Sequence, residues 1–349
     1  MGCTGIMGLI ERDGAAADGN MQAMVIDNFG GPEAFRLGTI ERPRAAPGTV
    51  IVQVAYAGVN PADWKAREGW LSQYFNYVFP FVVGFDAAGI VAEVGEGVTG
   101  LAVGDRVVTA SNQGKGERGS YAEYVASDRE RVVRLPDHVA LIDAAAMPTA
   151  AITAWEAVFD VGGTKPGARV LVNGGAGGTG GYAIQLAKMA GAEVATTCGP
   201  ANLDYVRSLG ADLAIDYRQG GVREAVAAWA PDGVDLIVDT VGQGSLLDSI
   251  EMVRRGGIVA PIATLIANEP WPDTERATEL GVQVIPTISS FERQERQLNA
   301  LVEALAAGKI RAPEITILPL AEAGEAQRRV AAGHVRGKIV LEVNAGLGR

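Results

Sequence analysis

The sequence predicts an α/β protein with two structural units, an antiparallel β barrel or sandwich and a doubly wound parallel sheet. Short β-branched runs separated by Gly and Pro turn signals fill the chain up to about residue 150. Beyond that point strand-like and helix-like segments alternate, and a glycine-rich turn follows the first of these strands. A length of 349 residues also suits two domains.

The first unit is indicated by short apolar runs bounded by turn residues such as Gly95, Gly97 and Gly104. Runs of this length and spacing are typical of strands in an antiparallel barrel or sandwich, because each turn reverses the chain. The predicted strands cover residues 21–27, 49–56, 89–94, 106–110 and 122–125.

The second unit is indicated by alternating strands and helices, an order that predicts parallel strands joined by helical crossovers. The predicted strands cover residues 169–172, 193–197, 213–215, 236–239 and 258–261. The predicted helices cover residues 152–159, 180–189, 203–209 and 222–229. Two more helices, at 293–307 and 321–331, and a closing strand at 338–343 complete the prediction.

The composition narrows the chemistry that this chain can perform. A net charge of −11 argues against a nucleic-acid partner, whose phosphates attract clustered basic residues. Cys3 and Cys198 cannot form a disulfide framework or a four-thiolate zinc site, and two histidines are too few for an ordinary catalytic metal site. We therefore expect no metal, and we expect a bound organic cofactor to supply the chemistry.

The sequence also lacks membrane and secretion signals. Its longest apolar stretches, such as residues 256–267, are shorter than the roughly 18–20 residues that span a bilayer. Residues 1–20 have neither the basic nor the apolar region of a signal peptide, and we expect them to form a mobile leader. These features predict a cytoplasmic protein with no membrane partner.

The most informative segment is the glycine-rich turn between an apolar strand and an amphipathic helix. Gly175, Gly177 and Gly180 fit G-x-G-x-x-G, and without Cβ atoms they let backbone N–H groups approach a pyrophosphate at a helix N-terminus. A flexible glycine turn is the alternative interpretation. The motif lies between the first strand and the first helix of a βαβ series, however, and this position favours a dinucleotide site. The predicted contacts are Gly175, Ala176, Gly177, Gly178, Thr179 and Gly180.

The end of the next strand bears on which nicotinamide cofactor is bound. NAD-binding folds usually place Asp or Glu about 20 residues after the glycine motif, where it binds the ribose 2′-OH. Here no carboxylate lies between Glu193 and Asp204, so nothing repels a 2′-phosphate and NADPH is favoured. No Lys or Arg lies at this turn either, and Cys198 is expected to be a small wall residue of the cofactor site.

Seven short motifs occur along the chain from residue 21 onward. They are Gly58-Val-Asn-Pro-Ala-Asp-Trp-Lys65, Phe81-Val-Val-Gly-Phe-Asp-Ala-Ala-Gly89, Gly104-Asp-Arg-Val107, Gly119-Ser-Tyr-Ala-Glu-Tyr-Val125, residues 171–188, Leu209-Gly-Ala-Asp212 and Gly333-His-Val-Arg-Gly-Lys-Ile-Val340. In this order they resemble the zinc-free quinone oxidoreductase (zeta-crystallin-like) branch of the medium-chain dehydrogenase/reductase superfamily. The resemblance implies a GroES-like barrel, residues 21–150 and 288–349, with an inserted Rossmann domain, residues 151–287.

The sequence departs from the zinc-dependent alcohol dehydrogenases of this superfamily at their metal ligands. Those enzymes carry Cys where this chain has Asn60, and Gly-His-Glu where it has Gly84, Phe85 and Asp86; their four-Cys zinc lobe is absent too. Without these ligands no zinc Lewis acid can polarise an alcohol or carbonyl. The resemblance therefore implies hydride delivery from NADPH to a quinone or an α,β-unsaturated carbonyl.

The resemblance also assigns residues to the cofactor. Asn60 and Thr153 match residues beside the nicotinamide, and Tyr217 matches a tyrosine that approaches the 2′-phosphate. Asn202 stands where the family often has Lys, which weakens the prediction of NADPH. His334 lies in a tail segment that borders the cofactor, and a structural turn role fits it equally well. The remaining predicted cofactor contacts are Cys198, Val241 and Ile262.

Eight aromatic residues fall between residues 64 and 85, a composition that suits a planar, apolar acceptor at a domain interface. Phe81 and Phe85 are expected to fill the barrel core instead. Trp70, Tyr74 and Tyr77 are the predicted substrate-pocket residues.

Reduction of an enone leaves negative charge on its carbonyl oxygen, which needs a hydrogen-bond or proton donor. Lys65 is the only cation in the motif around Asn60, and these two are the predicted catalytic residues. A solvated loop charge is the alternative role for Lys65, and Tyr74, Tyr77 or solvent are alternative donors.

Two other functions fit the same sequence. An enoyl-thioester reductase would use the same chemistry, but it would need a basic entrance for carrier phosphates, and the sequence offers no basic cluster. A crystallin-like protein that binds NADPH without turnover shares the cofactor contacts. By resemblance, a homodimer or tetramer joined through the Rossmann sheet edge is expected.

Overall fold

The computed structural model describes residues 19–262, 269–288, 291–344 and 346–347. Only the last two residues of the predicted leader fall within this part, and the second of them begins the first strand. The rest of the leader lies outside the described residues.

The first unit consists of two sheets whose strands contribute to one apolar core. Its strands up to residue 134 are β1 (Asn20–Ile26), β2 (Arg36–Glu41), β3 (Thr49–Val59), β4 (Phe81–Val82), β5 (Asp86–Val94), β6 (Arg106–Ala110), β7 (Tyr124–Asp128) and β8 (Val132–Arg134). β1 pairs with β2 and β4, while β3 pairs with β5 and β7, and β6 joins β5 to β8. All of these pairs are antiparallel, as the short runs and turns predict.

Several elements of this unit are absent from the prediction, including β2 and α1. β2 alternates between exposed residues and the inward-facing Gly38 and Ile40, and its charged ends and glycine give it the composition of a loop. Helix α1 (Pro61–Arg67) begins at Asn60, and Pro61 occupies its first turn, where the missing N–H is tolerated. A helix of seven residues is too short to show a clear apolar period.

Two short helices lead from the barrel into the second unit. They are α2 (Leu141–Ala145) and α3 (Pro148–Trp155), and a π-helical turn continues α3 to Val161. The predicted helix at 152–159 therefore begins four residues earlier, at a proline that favours a helix start.

The second unit is a six-stranded sheet in which every pair is parallel. Its strands are β9 (Arg169–Asn173), β10 (Glu193–Cys198), β11 (Leu213–Asp216), β12 (Val234–Asp239), β13 (Val253–Pro261) and β14 (Gln283–Val284), and its helices are α4 (Gly178–Met189), α5 (Leu203–Ser208), α6 (Val222–Trp229) and α7 (Thr274–Leu280). The strand order β11-β10-β9-β12-β13-β14 reverses direction at β9, as in a doubly wound sheet. The predicted fold class is therefore confirmed.

The last part of the chain returns to the first unit. It comprises α8 (Phe291–Ala306), β15 (Ile315–Pro319), α9 (Ala323–Ala332) and β16 (Lys338–Glu342). β16 pairs antiparallel with β3, and β15 extends that sheet in parallel. The closing strand of the sequence is thus part of the barrel sheet. Across the described residues, no helix has both the length and the apolar character needed to cross a bilayer.

Candidate functional site

The carboxyl ends of four neighbouring strands carry most of the predicted cofactor residues. The glycine turn follows β9, Cys198 ends β10, Val241 follows β12, and Ile262 follows β13. Because parallel strands end at the same edge of a sheet, these residues gather beside the point where the strand order reverses. Ligands of open α/β sheets bind in the crevice at this edge.

A polar cluster fixes the turn to the strand ends around it. Asn173 donates from Nδ2 to Asp239 Oδ1 at 2.7 Å and accepts at Oδ1 from the Thr197 hydroxyl at 2.6 Å. Asp239 Oδ1 also accepts the N–H of Val241 at 3.1 Å. Val241 therefore lies directly against the turn, where a Cβ on Gly174 would come within 2.6 Å of Val241 Cγ2.

The three glycines of the motif are required for different reasons. A Cβ on Gly175 would lie 2.0 Å from Thr196 Oγ1, and one on Gly180 would lie 2.2 Å from the Gly174 carbonyl oxygen. Both glycines are therefore fixed by packing within the chain. A Cβ on Gly177 would meet nothing closer than 3.6 Å. The chain itself leaves room for a side chain at Gly177.

That open position fits a bound pyrophosphate. Gly177 precedes α4, whose twelve residues provide unpaired N–H groups and the positive end of a helix dipole at this point. A group that approaches the backbone at Gly177 explains a glycine there that the packing of the chain does not require. The residues present therefore fit a dinucleotide cofactor.

The C-terminal segment also contacts this turn. The N–H of Gly337 donates to the Ala176 carbonyl at 2.8 Å, and Gly337 forms a β-bridge with Gly177. A Cβ on Gly178 would lie 2.6 Å from Lys338 Cδ, so the lysine stem packs against the start of α4. His334 lies three residues before Gly337 and is exposed, with a φ of 63° in the left-handed region.

The side chain of Lys338 connects the start of α4 with the barrel. Its ammonium donates to Asn60 Oδ1 at 2.6 Å and to the Val59 carbonyl at 2.8 Å. Asn60 Nδ2 in turn donates to Asp86 Oδ2 at 2.8 Å. Asn60, Asp86 and Lys338 are all buried, and we call them the Asn60 cluster. The cluster has a fixed amide orientation, because the cation contacts its oxygen and the carboxylate contacts its nitrogen.

The Asn60 cluster reaches α3 through Thr149. Asp86 Oδ1 accepts the Thr149 hydroxyl at 2.6 Å and the Thr149 N–H at 3.0 Å. One turn further along α3, the Thr153 hydroxyl donates to the Thr149 carbonyl at 2.7 Å. The structure thus links Asn60 and Thr153, the two residues predicted beside the nicotinamide, through a short chain of hydrogen bonds.

A second buried carboxylate, Asp63, stabilises the start of α1. Asp63 Oδ2 accepts the Asn60 N–H at 2.7 Å and the Tyr121 hydroxyl at 3.0 Å, and Oδ1 accepts the Phe85 N–H at 3.2 Å. Burial, and then the negative charge of Asp86, raise the pKa of Asp63 to about 7. Burial likewise raises the pKa of Asp86 and lowers the pKa of Lys338, while the attraction between them opposes both shifts.

The residues at the zinc-ligand positions do not fit a catalytic zinc. Asn60 Oδ1 is occupied by the Lys338 ammonium, Phe85 has no donor atom, and Asp86 is the single carboxylate. In the described ranges no three His, Cys, Asp or Glu side chains form a group that could hold a metal ion.

Lys65 lies near the loops that follow β12 and β13. Its side chain is largely buried, and burial lowers the pKa of its ammonium, while the negative charge of Glu269 opposes that shift. Glu269 accepts the N–H of Gln243 at 2.7 Å and so lies at the carboxyl edge of the parallel sheet. The Lys65 ammonium is 5.4 Å from the centre of the Trp64 ring.

The predicted pocket aromatics are in different environments. Trp70 packs edge-to-face on Trp64 at 5.0 Å between ring centres and is 41% exposed, and Tyr74 is 66% exposed. Both therefore present ring surface to solvent. Tyr77 instead lies within a cluster of rings, with its hydroxyl donating to the Ala66 carbonyl at 3.0 Å.

The environment of Tyr77 is explained without a substrate. Burial raises its pKa to about 12, which makes the phenol a weak acid, and its one proton is already donated. The pocket and proton-donor roles of Tyr77 remain predictions. Phe81 is fully buried in the barrel core and Phe85 packs on the same core, as predicted.

The residues predicted for the adenosine end of the cofactor lie beyond β10 and β11. Cys198 is buried, and burial followed by the charge of Asp216 raises the pKa of its thiol to about 11, which suits the predicted wall residue. Asn202 lies in the 3₁₀ turn after β10, and Tyr217 follows β11 and is 43% exposed.

The sequence analysis missed several polar residues of the site. Lys338 begins β16 and precedes three buried apolar residues, and a lysine at that position is the sequence signal that points to a buried ammonium. The sequence comparison draws attention to Asp86 only because zinc-dependent relatives have a metal ligand in that motif. Asp63 lies three residues after Asn60, the spacing of a helix capping box, which is a local signal in the sequence. The contact of Thr149 with Asp86 depends on tertiary packing, and the sequence gives no sign of it.

Comparison with known proteins agrees with this architecture. Residues 46–137 match the family of alcohol dehydrogenase GroES-like domains, and residues 209–341 match the family described as zinc-binding dehydrogenase. The second name refers to zinc, which the donor set around Asn60 does not fit.

Individual relatives cover most of the chain. A chloroplast envelope quinone oxidoreductase homolog of Arabidopsis thaliana is 32% identical over 334 residues, 92% of this chain and 98% of that protein. A 2-methylene-furan-3-one reductase of Solanum lycopersicum is 35% identical over 246 residues, 68% of this chain and 61% of that protein. The solved structure of the quinone oxidoreductase from Coxiella burnetii has a TM-score of 0.81 at 29% identity and covers 93% of this chain and 100% of that one.

The fold, the glycine turn and these relatives lead to one assignment. The chain belongs to the quinone oxidoreductase branch of the medium-chain dehydrogenase/reductase superfamily and is an oxidoreductase that uses a nicotinamide cofactor.

Proposed function

We propose that this protein is an NADPH-dependent, zinc-independent reductase of quinones or α,β-unsaturated carbonyls. The observation that carries the proposal is the Asn60 cluster, in which one amide hydrogen-bonds both an ammonium and a carboxylate where the zinc enzymes have metal ligands. The quinone oxidoreductase homolog and the furanone reductase among the relatives support the same acceptor chemistry by their names.

The chain's own residues hold the cofactor in two places. Backbone N–H groups in the first turn of α4, next to Gly177, bind the pyrophosphate, and Thr153 and Asn60 border the nicotinamide. When bound, the cofactor supplies a hydride. Val241 and Ile262 cover its middle at the ends of β12 and β13. The strand-end geometry and the open position at Gly177 support the assignments of the pyrophosphate, Val241 and Ile262, and the family resemblance supports those of Asn60 and Thr153.

Asn60 keeps one N–H of its amide for a ligand. Its other N–H is donated to Asp86, and its oxygen accepts from Lys338. Because both partners are buried, the amide cannot rotate without separating a cation from its acceptor. The remaining N–H therefore has a fixed direction, which favours a positioning contact to the nicotinamide or to the acceptor.

Lys65 supplies the donor that a carbonyl acceptor needs. A lowered pKa brings the ammonium closer to the operating pH, which improves proton donation. Hydride addition to an enone moves charge to its oxygen, where Lys65 donates, and a proton then reaches the α-carbon. A quinone takes its hydride at an already electron-poor ring and can obtain the proton from water. Trp70 and Tyr74 provide the exposed aromatic surface for either acceptor.

The test is NADPH oxidation, followed by absorbance, over a panel of quinones, enones and enoyl-CoA thioesters. Turnover of quinones or enones well above that of enoyl-CoA supports the proposal. Preferred turnover of the thioesters would identify an enoyl-thioester reductase instead. Tight NADPH binding without turnover of any acceptor would identify a crystallin-like binding protein. The cytoplasmic location and the homodimer or tetramer remain predictions, for which cell fractionation and light scattering are the measurements.

A further inference from the structure

Arg218 lies at the adenosine end of the cofactor site and is not among the residues predicted from the sequence. Arg218 directly follows Tyr217, and its Nε atom is 3.9 Å from the position that a Cβ of Gly199 would take. Gly199 comes immediately after β10, at the point where nucleotide-binding sheets recognise the ribose 2′ position. A cation therefore lies beside this turn, although none is adjacent to it in the sequence.

The fold holds the backbone of Arg218 in place. β10 and β11 are parallel neighbours, and Cys198 pairs with Asp216, so the turns after the two strands lie side by side. Asp216 Oδ1 accepts the Arg218 N–H at 3.1 Å, and its Oδ2 accepts from Gln219 Nε2 at 3.0 Å. Both carboxylate oxygens thus contact their own turn, which fixes the point from which the arginine side chain extends.

The Arg218 guanidinium is available for a ligand. The side chain is exposed, and within the described part of the chain no carboxylate forms an ion pair with it. Arg207, whose charge acts on Cys198, is paired with Asp204 at 2.9 Å. Asn202 carries no charge. Arg218 is therefore the cation best placed to bind an anion at the end of β10.

We propose that Arg218 is the residue that selects NADPH, by binding the 2′-phosphate of its adenosine ribose. This inference rests on the proposed function, in which NADPH is the cofactor. A guanidinium presents a planar set of N–H donors that matches a phosphate and binds it through two charge-assisted hydrogen bonds. NADH has a hydroxyl at this position, which offers the guanidinium no charge. Arg218 thus fills the role for which related proteins often use a lysine at the position of Asn202.

The experiment is calorimetric titration of the wild type and its variants with 2′,5′-ADP and with 5′-AMP, which differ only in the 2′-phosphate. We expect the wild type to bind 2′,5′-ADP more tightly. Arg218→Gln should weaken 2′,5′-ADP binding by about tenfold or more and leave 5′-AMP binding unchanged. Arg218→Lys should retain part of the preference, because it keeps the charge but loses the planar fork.

Arg223→Gln is the matched control, because it removes one positive charge from α6 of the same unit and should leave both affinities unchanged. If the wild type prefers 2′,5′-ADP and Arg218→Gln keeps that preference, Arg218 is not the selecting residue, although the NADPH part of the proposed function survives. Equal loss of both ligands would also overturn the inference, since it indicates a structural role. A wild type that does not distinguish the two ligands overturns both this inference and the NADPH preference, whereas the acceptor panel tests the reductase chemistry separately.

Discussion

The ammonium of Lys338 lies 2.6 Å from the side-chain oxygen of Asn60, in a buried environment that also contains Asp86. The residue before this lysine, Gly337, is hydrogen-bonded to the glycine turn at Ala176. One strand therefore begins at the cofactor turn and fixes the amide that we assign to the nicotinamide end of the site.

Replacing Lys338 with Met should destabilise the fold and lower kcat. The change leaves Asp86 buried without a cation and frees the Asn60 amide to rotate. Loss of the charge that balances a buried carboxylate costs at most about 3–5 kcal/mol, the range for a direct buried ion pair, and protonation of Asp86 should reduce this loss at low pH. Urea unfolding and steady-state kinetics measure the two effects. Lys309→Met, at an exposed lysine, is the control, and equal behaviour of the two variants would contradict the role of Lys338.

Alanine at Gly177 should weaken NADPH binding with little loss of stability, whereas alanine at Gly180 should lower the stability of the fold. At Gly177 the added Cβ meets nothing closer than 3.6 Å, so the free energy of unfolding should change by less than about 1 kcal/mol, while NADPH affinity falls by about tenfold or more. At Gly180 the Cβ would lie 2.2 Å from a backbone oxygen, and overpacking of this kind costs about 1–3 kcal/mol. Thermal unfolding and NADPH titration test both variants. Unchanged NADPH affinity in Gly177→Ala would remove the pyrophosphate from this position.

The stability of the protein should depend on pH through Asp63. Its pKa is raised from 3.8 to about 7, so the folded state keeps a proton that the unfolded chain has released. This contribution to stability is complete below about pH 4 and is lost as the pH rises through about 7, with a slope of at most about 1.4 kcal/mol per pH unit. Urea unfolding from pH 5 to 7 should show a smaller decline for Asp63→Asn than for the wild type. Identical slopes would show that Asp63 does not titrate in this range.

Lys65→Met should lower kcat for enones more than for quinones. An enone needs a donor at its carbonyl oxygen, whereas a quinone can be protonated by solvent after hydride transfer. The enone rate should fall by about a hundredfold, the usual lower range for general acid catalysis, and the quinone rate by much less. Lys115→Met, at an exposed lysine paired with Asp128, is the control. Equal losses with both acceptors, or none, would exclude Lys65 from proton donation.

The sequence was sufficient for the parts of the fold that depend on local pattern. β6 and α6 have the predicted boundaries, and the βα alternation placed the glycine turn correctly. α1 and β14 are absent from the prediction because each is short, and β2 because its charged and glycine residues give it the composition of a loop.

The site was less predictable, because its polar contacts join residues far apart in the chain. Lys338 and Asn60 are 278 positions apart, and Asn60 and Asp86 are 26 apart. Arg218 approaches Gly199 only because β10 and β11 are parallel neighbours. Hydrogen bonds of this kind follow from tertiary packing and leave no periodic signal in the sequence, whereas the glycine motif is a contiguous signal of local backbone geometry.

The last strand has a consequence for engineering. β16 is hydrogen-bonded to β3 in the barrel, yet the residue that precedes it is bonded to the cofactor turn of the other unit. A chimaera that exchanges only the parallel-sheet segment for that of a relative would keep this strand. Its Gly337 would then have to hydrogen-bond the glycine turn of another protein. Successful grafting should therefore require residues 337 and 338 to be transferred together with the donor's glycine turn, as one module formed from two distant stretches of chain.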